Sequence, residues 1–89
     1  MKKLNADILL ASIEDFTKSI ELKPTALAYY NRGYSKGKLE DYQGAIEDYS
    51  KAIEIESQVD AYYLRGIAKR NLEEEGFKYS TTENIYKRI

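Results

Sequence analysis

The stretch Ile13-Glu14-Asp15-Phe16-Thr17-Lys18-Ser19-Ile20-Glu21-Leu22 returns, 33 residues later, as Ile46-Glu47-Asp48-Tyr49-Ser50-Lys51-Ala52-Ile53-Glu54-Ile55. Six of the ten positions are identical and the other four are conservative. A second echo keeps the same step: Ala28-Tyr29-Tyr30-Asn31-Arg32-Gly33 returns as Ala61-Tyr62-Tyr63-Leu64-Arg65-Gly66. Self-similarity at a period of this size is the mark of a stacked helical repeat, each unit too small to bury its apolar face alone.

The apolar spacing assigns the helices. Over 6–22, Ile8, Ala11, Ser12, Ile13, Phe16, Ser19 and Ile20 share one face, and Asp7, Glu14, Asp15, Lys18 and Glu21 share the other. Pro24 stops this helix and Thr25 is placed to cap the next, over 26–38. Gly33 falls in the middle of that second helix, where it costs about 1 kcal/mol relative to Ala. Its return as Gly66 points to a close helix-to-helix approach at both positions. Gly37 and Leu39-Glu40-Asp41 mark a turn. A third helix follows over 41–56, with Tyr42, Ala45, Ile46, Tyr49, Ala52 and Ile53 as its stripe. The fourth runs over 59–72, with Ala61, Tyr62, Leu64, Gly66, Ala68 and Leu72 on its inner side.

Two segments leave alternatives open. At 57–60, either Ser57 caps the fourth helix with Asp60 completing a capping-box-like pair, or helices three and four fuse into one rod that invites exchange between chains. The tail 73–89 breaks the repeat. Its Glu73-Glu74-Glu75 reads as a solvated turn, and Ser80-Thr81-Thr82-Glu83 as a capping box opening a short last helix from about 81. That tail either covers the open end of the array or hangs loosely from it.

This alternation resembles the tetratricopeptide repeat. The first helix type offers Tyr29, Gly33 and Lys36, then Tyr62, Gly66 and Lys69; the second type offers Tyr42, Ala45, Tyr49 and Ala52, preceded by Ser12, Phe16, Ser19 and Pro24. The likeness spans about 8–72. It departs from the family in its step of 33 where about 34 is usual, and in carrying Ser57 where Pro is expected. Its phase is also unusual: the chain opens on a second-type helix, holds one whole repeat at about 26–58, and follows it with a first-type helix. The resemblance implies an all-α, antiparallel helix-turn-helix solenoid of about two repeats, treated as a single domain over 1–89. Its ends are then covered by the tail, by another copy in a homodimer, or by a longer array of which this is a fragment.

The resemblance further implies a non-catalytic scaffold that binds a protein or peptide in a groove lined by the first helices. The outward residues there are Tyr30, Asn31, Tyr34 and Lys38, then Tyr63, Leu64, Ile67, Arg70 and Asn71. Asn31 stands at a position used by relatives that grip a C-terminal carboxylate. Asp60 and Leu64 occupy the cationic clamp positions, so the likeness does not extend to that clamp.

Composition excludes several rival classes. The 89 residues hold no Cys and no His, which removes disulfides, imidazole or thiolate metal sites and His-dependent triads. The adjacent acids Glu14-Asp15 and Glu47-Asp48 recur with the repeat and read as solvated helix face, not as an acid–base pair. No phosphate-loop pattern occurs. A net charge of −1 gives no electrostatic attraction for nucleic acid or an anionic membrane, and the Tyr residues fall at repeat core positions. No cofactor is expected. The apolar run 8–11 is too short for a secretory leader, no stretch is long enough for a membrane span, and the expected location is cytoplasmic. Arg32 and Arg65 recur together with Asp15 and Asp48, which predicts at least one Arg–Asp pair between consecutive helices.

Overall fold

The computed structural model describes the backbone of residues 2–88 and the side chains of residues 5–76. Its four helices are α1 (Lys2–Leu22), α2 (Ala26–Lys38), α3 (Tyr42–Ile55) and α4 (Val59–Arg88), with no strand among the described residues. Three short turns fold each helix back on the one before, and packing runs almost wholly between neighbours in sequence: α1 on α2, α2 on α3, α3 on α4. This is the quasi-one-dimensional packing of a helical repeat.

Local chemistry places the turns. Thr25 has an extended backbone and its Oγ1 accepts from the Ala28 N–H at 3.1 Å, which satisfies one of the free donors opening α2. Asp41 does the same for α3, accepting from the Gly44 N–H at 3.0 Å. Gly37 is helical and does not make the turn. The reversal falls instead on Glu40, with a φ of 65°. Its N–H donates to the Gly37 carbonyl at 3.0 Å, and the Asp41 N–H to the Lys36 carbonyl at 2.9 Å. These two bonds are the Schellman pattern, here closed by a residue with a Cβ where Gly is the usual choice.

The core sits where α2, α3 and α4 meet. Ala45, Tyr49 and Ala68 form its buried centre, with Tyr30, Ile46 and Leu64 packed around them. Ala45, Ala52 and Ala61 are fully buried. Small side chains along α3 let both neighbours come close, and Tyr49 supplies the bulk.

The structure decides the alternative left open at 56–58 and departs from the sequence expectations at other places. The junction is a break between two helices, so α3 and α4 are not fused. Ser57 does not cap α4: the helix opens after Gln58, whose amide donates to Glu56 at 3.3 Å. α4 continues through Glu73-Glu74-Glu75-Gly76 without the expected turn. Glu is a good helix former, a single Gly costs only about 1 kcal/mol, and no Pro intervenes. The bounds of α4 also run across the place of a separate last helix from about 81, and the Ser80–Glu83 capping box lies outside the described side chains. Finally, Tyr62 is 50% exposed, and a Cβ placed on Gly66 would meet nothing within 4 Å among the described residues. The helix that would pack there in a complete repeat is replaced by the continuation of α4.

Candidate functional site

Two neighbouring features mark the α2–α3 unit. The first is an ionic centre between its helices. Arg32 on α2 donates from Nε and Nη2 to the two carboxylate oxygens of Asp48 on α3, each at 2.8 Å. Its Nη1 donates to Thr17 Oγ1 on α1 at 3.1 Å, so one guanidinium joins three helices. Lys36 adds a second cation, 3.2 Å from Asp48. The Tyr29 ring lies 5.6 Å from the Arg32 guanidinium carbon. Asp48 is only 3% exposed, and a carboxylate so placed requires this pairing. Its hydrogen bonds hold the Arg32 pKa above the usual value against the opposing effect of burial.

Gly33 makes this centre possible. A Cβ there would lie 3.1 Å from the Asp48 Cβ and 3.2 Å from the Tyr49 ring. The missing side chain lets α3 settle against α2, with Asp48 beside Arg32 and Tyr49 under Tyr30. The Tyr30 and Tyr49 rings are 5.7 Å apart and tilted by 53°. Burial pushes the Tyr49 hydroxyl up to about 12.

The second feature is a cleft of about 170 Å³ between the C-terminal half of α2 and the N-terminal half of α4. Tyr34 and Lys38 form one wall and Leu64, Ile67 and Asn71 the other, with Tyr42, Tyr49 and Ala68 also lining it. Lys38 Nζ lies 5.3 Å from the centre of the Tyr34 ring. The lining is therefore mostly aromatic and aliphatic, with one cation and one amide.

Of the nine expected groove residues, this cleft gathers Tyr34, Lys38, Leu64, Ile67 and Asn71. Tyr30 instead packs on Tyr49 and borders a separate depression with Leu27, Val59 and Asp60. Asn31 is half-buried on α2, Tyr63 is 68% exposed, and Arg70 is exposed; none of the three lines the cleft. The helical spacing assigns Tyr42 and Tyr49 to the core alone, yet both reach the cleft, because they rise from α3 between the two walls. Thr17 and Lys36 join the ionic centre without having been expected there. The conservative Thr17/Ser50 match in the repeat is the available signal for the former.

The second Arg of the echo behaves differently. Arg65 Nη1 donates to Ser50 Oγ at 3.0 Å, and its guanidinium carbon lies 5.3 Å from the Tyr62 ring centre. These are the counterparts of the Thr17 and Tyr29 contacts of Arg32. No carboxylate pairs with Arg65 among the described residues. Asp15, the counterpart of Asp48, is exposed on α1.

Residues 26–58, which are α2, α3 and their closing turn, match the family model of the tetratricopeptide repeat. The chain carries a tetratricopeptide repeat. No curated protein and no solved structure matches the chain. The matched repeat joins a first-type helix to the second-type helix that follows it, with Gly33 and the Arg32–Asp48 pair at its seam. Tetratricopeptide repeats are generally non-catalytic and serve as protein-interaction scaffolds. Among the described residues, no group of three acidic side chains stands close enough to hold a metal ion, and no helix is long and apolar enough to cross a membrane.

Proposed function

We propose that this chain is a non-catalytic interaction module that binds a peptide or protein segment in the cleft between α2 and α4. The observation that supports this most is the lining of that cleft. Tyr34 and Ile67 line it together with Tyr42, Tyr49, Leu64 and Ala68, and Lys38 and Asn71 supply its polar side chains beside them. Pockets of this kind, with aromatic walls and a few oriented polar groups, are where binding energy concentrates. The occupant that fits is an extended segment with one apolar side chain in the cleft and an acidic or amide group near Lys38. In this reading the other expected groove residues, Tyr30, Asn31, Tyr63 and Arg70, flank the segment outside the cleft.

Selection of a displayed random-peptide library on the full chain tests this reading. Enriched peptides are expected to carry an apolar anchor, and Tyr34→Ala or Ile67→Asp should weaken their binding at least tenfold, a change of about 1.4 kcal/mol. Glu54→Ala, on the outer side of α3, should leave it unchanged. A selection that enriches nothing, or binding indifferent to Tyr34 and Ile67, would contradict the groove.

A further inference from the structure

We infer that α4 of one copy and α1 of another are the two halves of a tetratricopeptide repeat, completed between chains head to tail. The inference rests on the repeat reading of α1 and α4 and not on the groove.

The template lies within the chain. In the complete repeat, α2 offers Gly33 and Arg32, and α3 delivers Asp48 and Tyr49 into that space. α4 is a helix of the α2 type, with Arg65 and Gly66 in the same frame, and α1 is a helix of the α3 type, with Asp15 and Phe16. Among the described residues each lacks its complement. There Gly66 has open space where Gly33 has Asp48 and Tyr49. Arg65 is already held by Ser50 and Tyr62 in the arrangement that Thr17 and Tyr29 impose on Arg32. Its Nε and Nη2, the atoms that bind the carboxylate in Arg32, have no partner among the described residues. Asp15 is exposed, and Phe16, the counterpart of buried Tyr49, is only half-buried. The two open faces are therefore complementary in charge and in shape: a posed guanidinium beside a glycine on one, a carboxylate beside an aromatic ring on the other.

Helix length supports the same pairing. Within the chain the α2–α3 hairpin closes at Leu39–Asp41, which limits both helices. One repeat step away, Leu39 corresponds to Leu72 on α4 and Tyr42 to Leu9 on α1. α4 runs on past Leu72, and α1 begins at Lys2, well before Leu9. In the antiparallel register that sets Gly66 opposite Asp15, both extensions fall at the same end and lie along each other. No turn is needed there, because the two helices come from different chains. The contact is heterologous, so each copy keeps one open α4 face and one open α1 face, and the assembly grows into a ring or a continuous superhelix.

Charge exchange tests the pairing. Sedimentation of the full chain from micromolar to millimolar concentration should show a mass that rises with concentration. Arg65→Glu and Asp15→Arg should each weaken association about tenfold or more, with helicity unchanged by circular dichroism. An equimolar mixture of the two variants should recover association. Every contact in the mixed assembly can then join opposite charges, the two substituted positions meeting at one contact and the native Arg65 and Asp15 at the next. A wild-type chain that stays monomeric throughout leaves these faces to a different partner and overturns the inference, as does association that the mixture fails to restore. Peptide binding in the cleft of the Arg65→Glu variant should be unchanged, which separates this outcome from failure of the groove.

Discussion

Gly33 and Gly66 occupy the same position of the same motif, one on α2 and one on α4, yet their surroundings are opposite. Around Gly33 the neighbouring helix is so close that a single methyl group would press on Asp48 and Tyr49; around Gly66 there is nothing within 4 Å among the described residues. The adjacent arginines follow suit. Arg32 is locked to a buried carboxylate, while Arg65 holds the same pose without one. Tyr29 is half-buried and its counterpart Tyr62 is half exposed. A repeat motif thus specifies what a helix can receive. What it does receive depends on the next helix, and in a one-dimensional array that dependence is confined to nearest neighbours.

The largest difference between the two regions should appear at the arginines. Arg32→Met leaves Asp48 buried with only Lys36 beside it and should cost about 3 kcal/mol of unfolding free energy. Arg65→Met removes a partly exposed side chain with no ionic partner and should change stability by less than about 0.5 kcal/mol in dilute solution. Urea denaturation of the two variants checks this directly. Equal losses would mean that the contact with Asp48 is not what distinguishes the complete repeat.

A smaller effect, with a change of sign, is expected at the glycines. Gly33→Ala gains helix propensity but forces α3 away, for a net loss of about 1 kcal/mol. Gly66→Ala gains the same propensity in open space and should stabilise the dilute chain by about 1 kcal/mol. The same methyl group would stand in the way of Asp15 from another copy. Gly66→Ala should therefore weaken self-association while raising the thermal midpoint of the monomer, a combination that neither helix propensity nor interface packing produces alone.

Most of the scaffold is legible in the sequence because its signals are local and repeated. Thr25 before Ala26, Pro24 after Leu22, and the alanines Ala45 and Ala52 at the seam all act within one helix or one turn. The close approach at Gly33 and an Arg–Asp pair are legible because the motif states them twice. Where the motif misleads, the deciding neighbour lies outside it. A close approach at Gly66 requires a second-type helix folded back after Leu72, and α4 runs on there instead. The stretch Leu72-Glu73-Glu74 looks like Leu39-Glu40-Asp41, but only the latter is followed by an apolar stripe that draws the chain back. Asp41 also caps a helix through its short side chain, which the longer Glu74 is poorly suited to do. The reversal at Glu40 is hidden by the nearby Gly37, the residue type that ordinarily takes a left-handed conformation. In the groove, side-chain direction on a single helix is readable, but the contribution of Tyr42 and Tyr49 from α3 depends on the packing of three helices.

That α1 and α4 are halves of one repeat is tested most directly by cysteine cross-linking. The chain has no Cys, so introduced thiols report without background. In the complete repeat a Cβ on Gly33 stands 3.1 Å from the Asp48 Cβ, close to the roughly 3.8 Å that a disulfide requires. Mixed under mild oxidation, Asp15→Cys and Gly66→Cys chains should form a disulfide-linked dimer joined at 15 and 66, and replacing Asp15→Cys by Glu54→Cys should abolish it. Cross-linking at 15 no faster than at 54 would contradict the pairing.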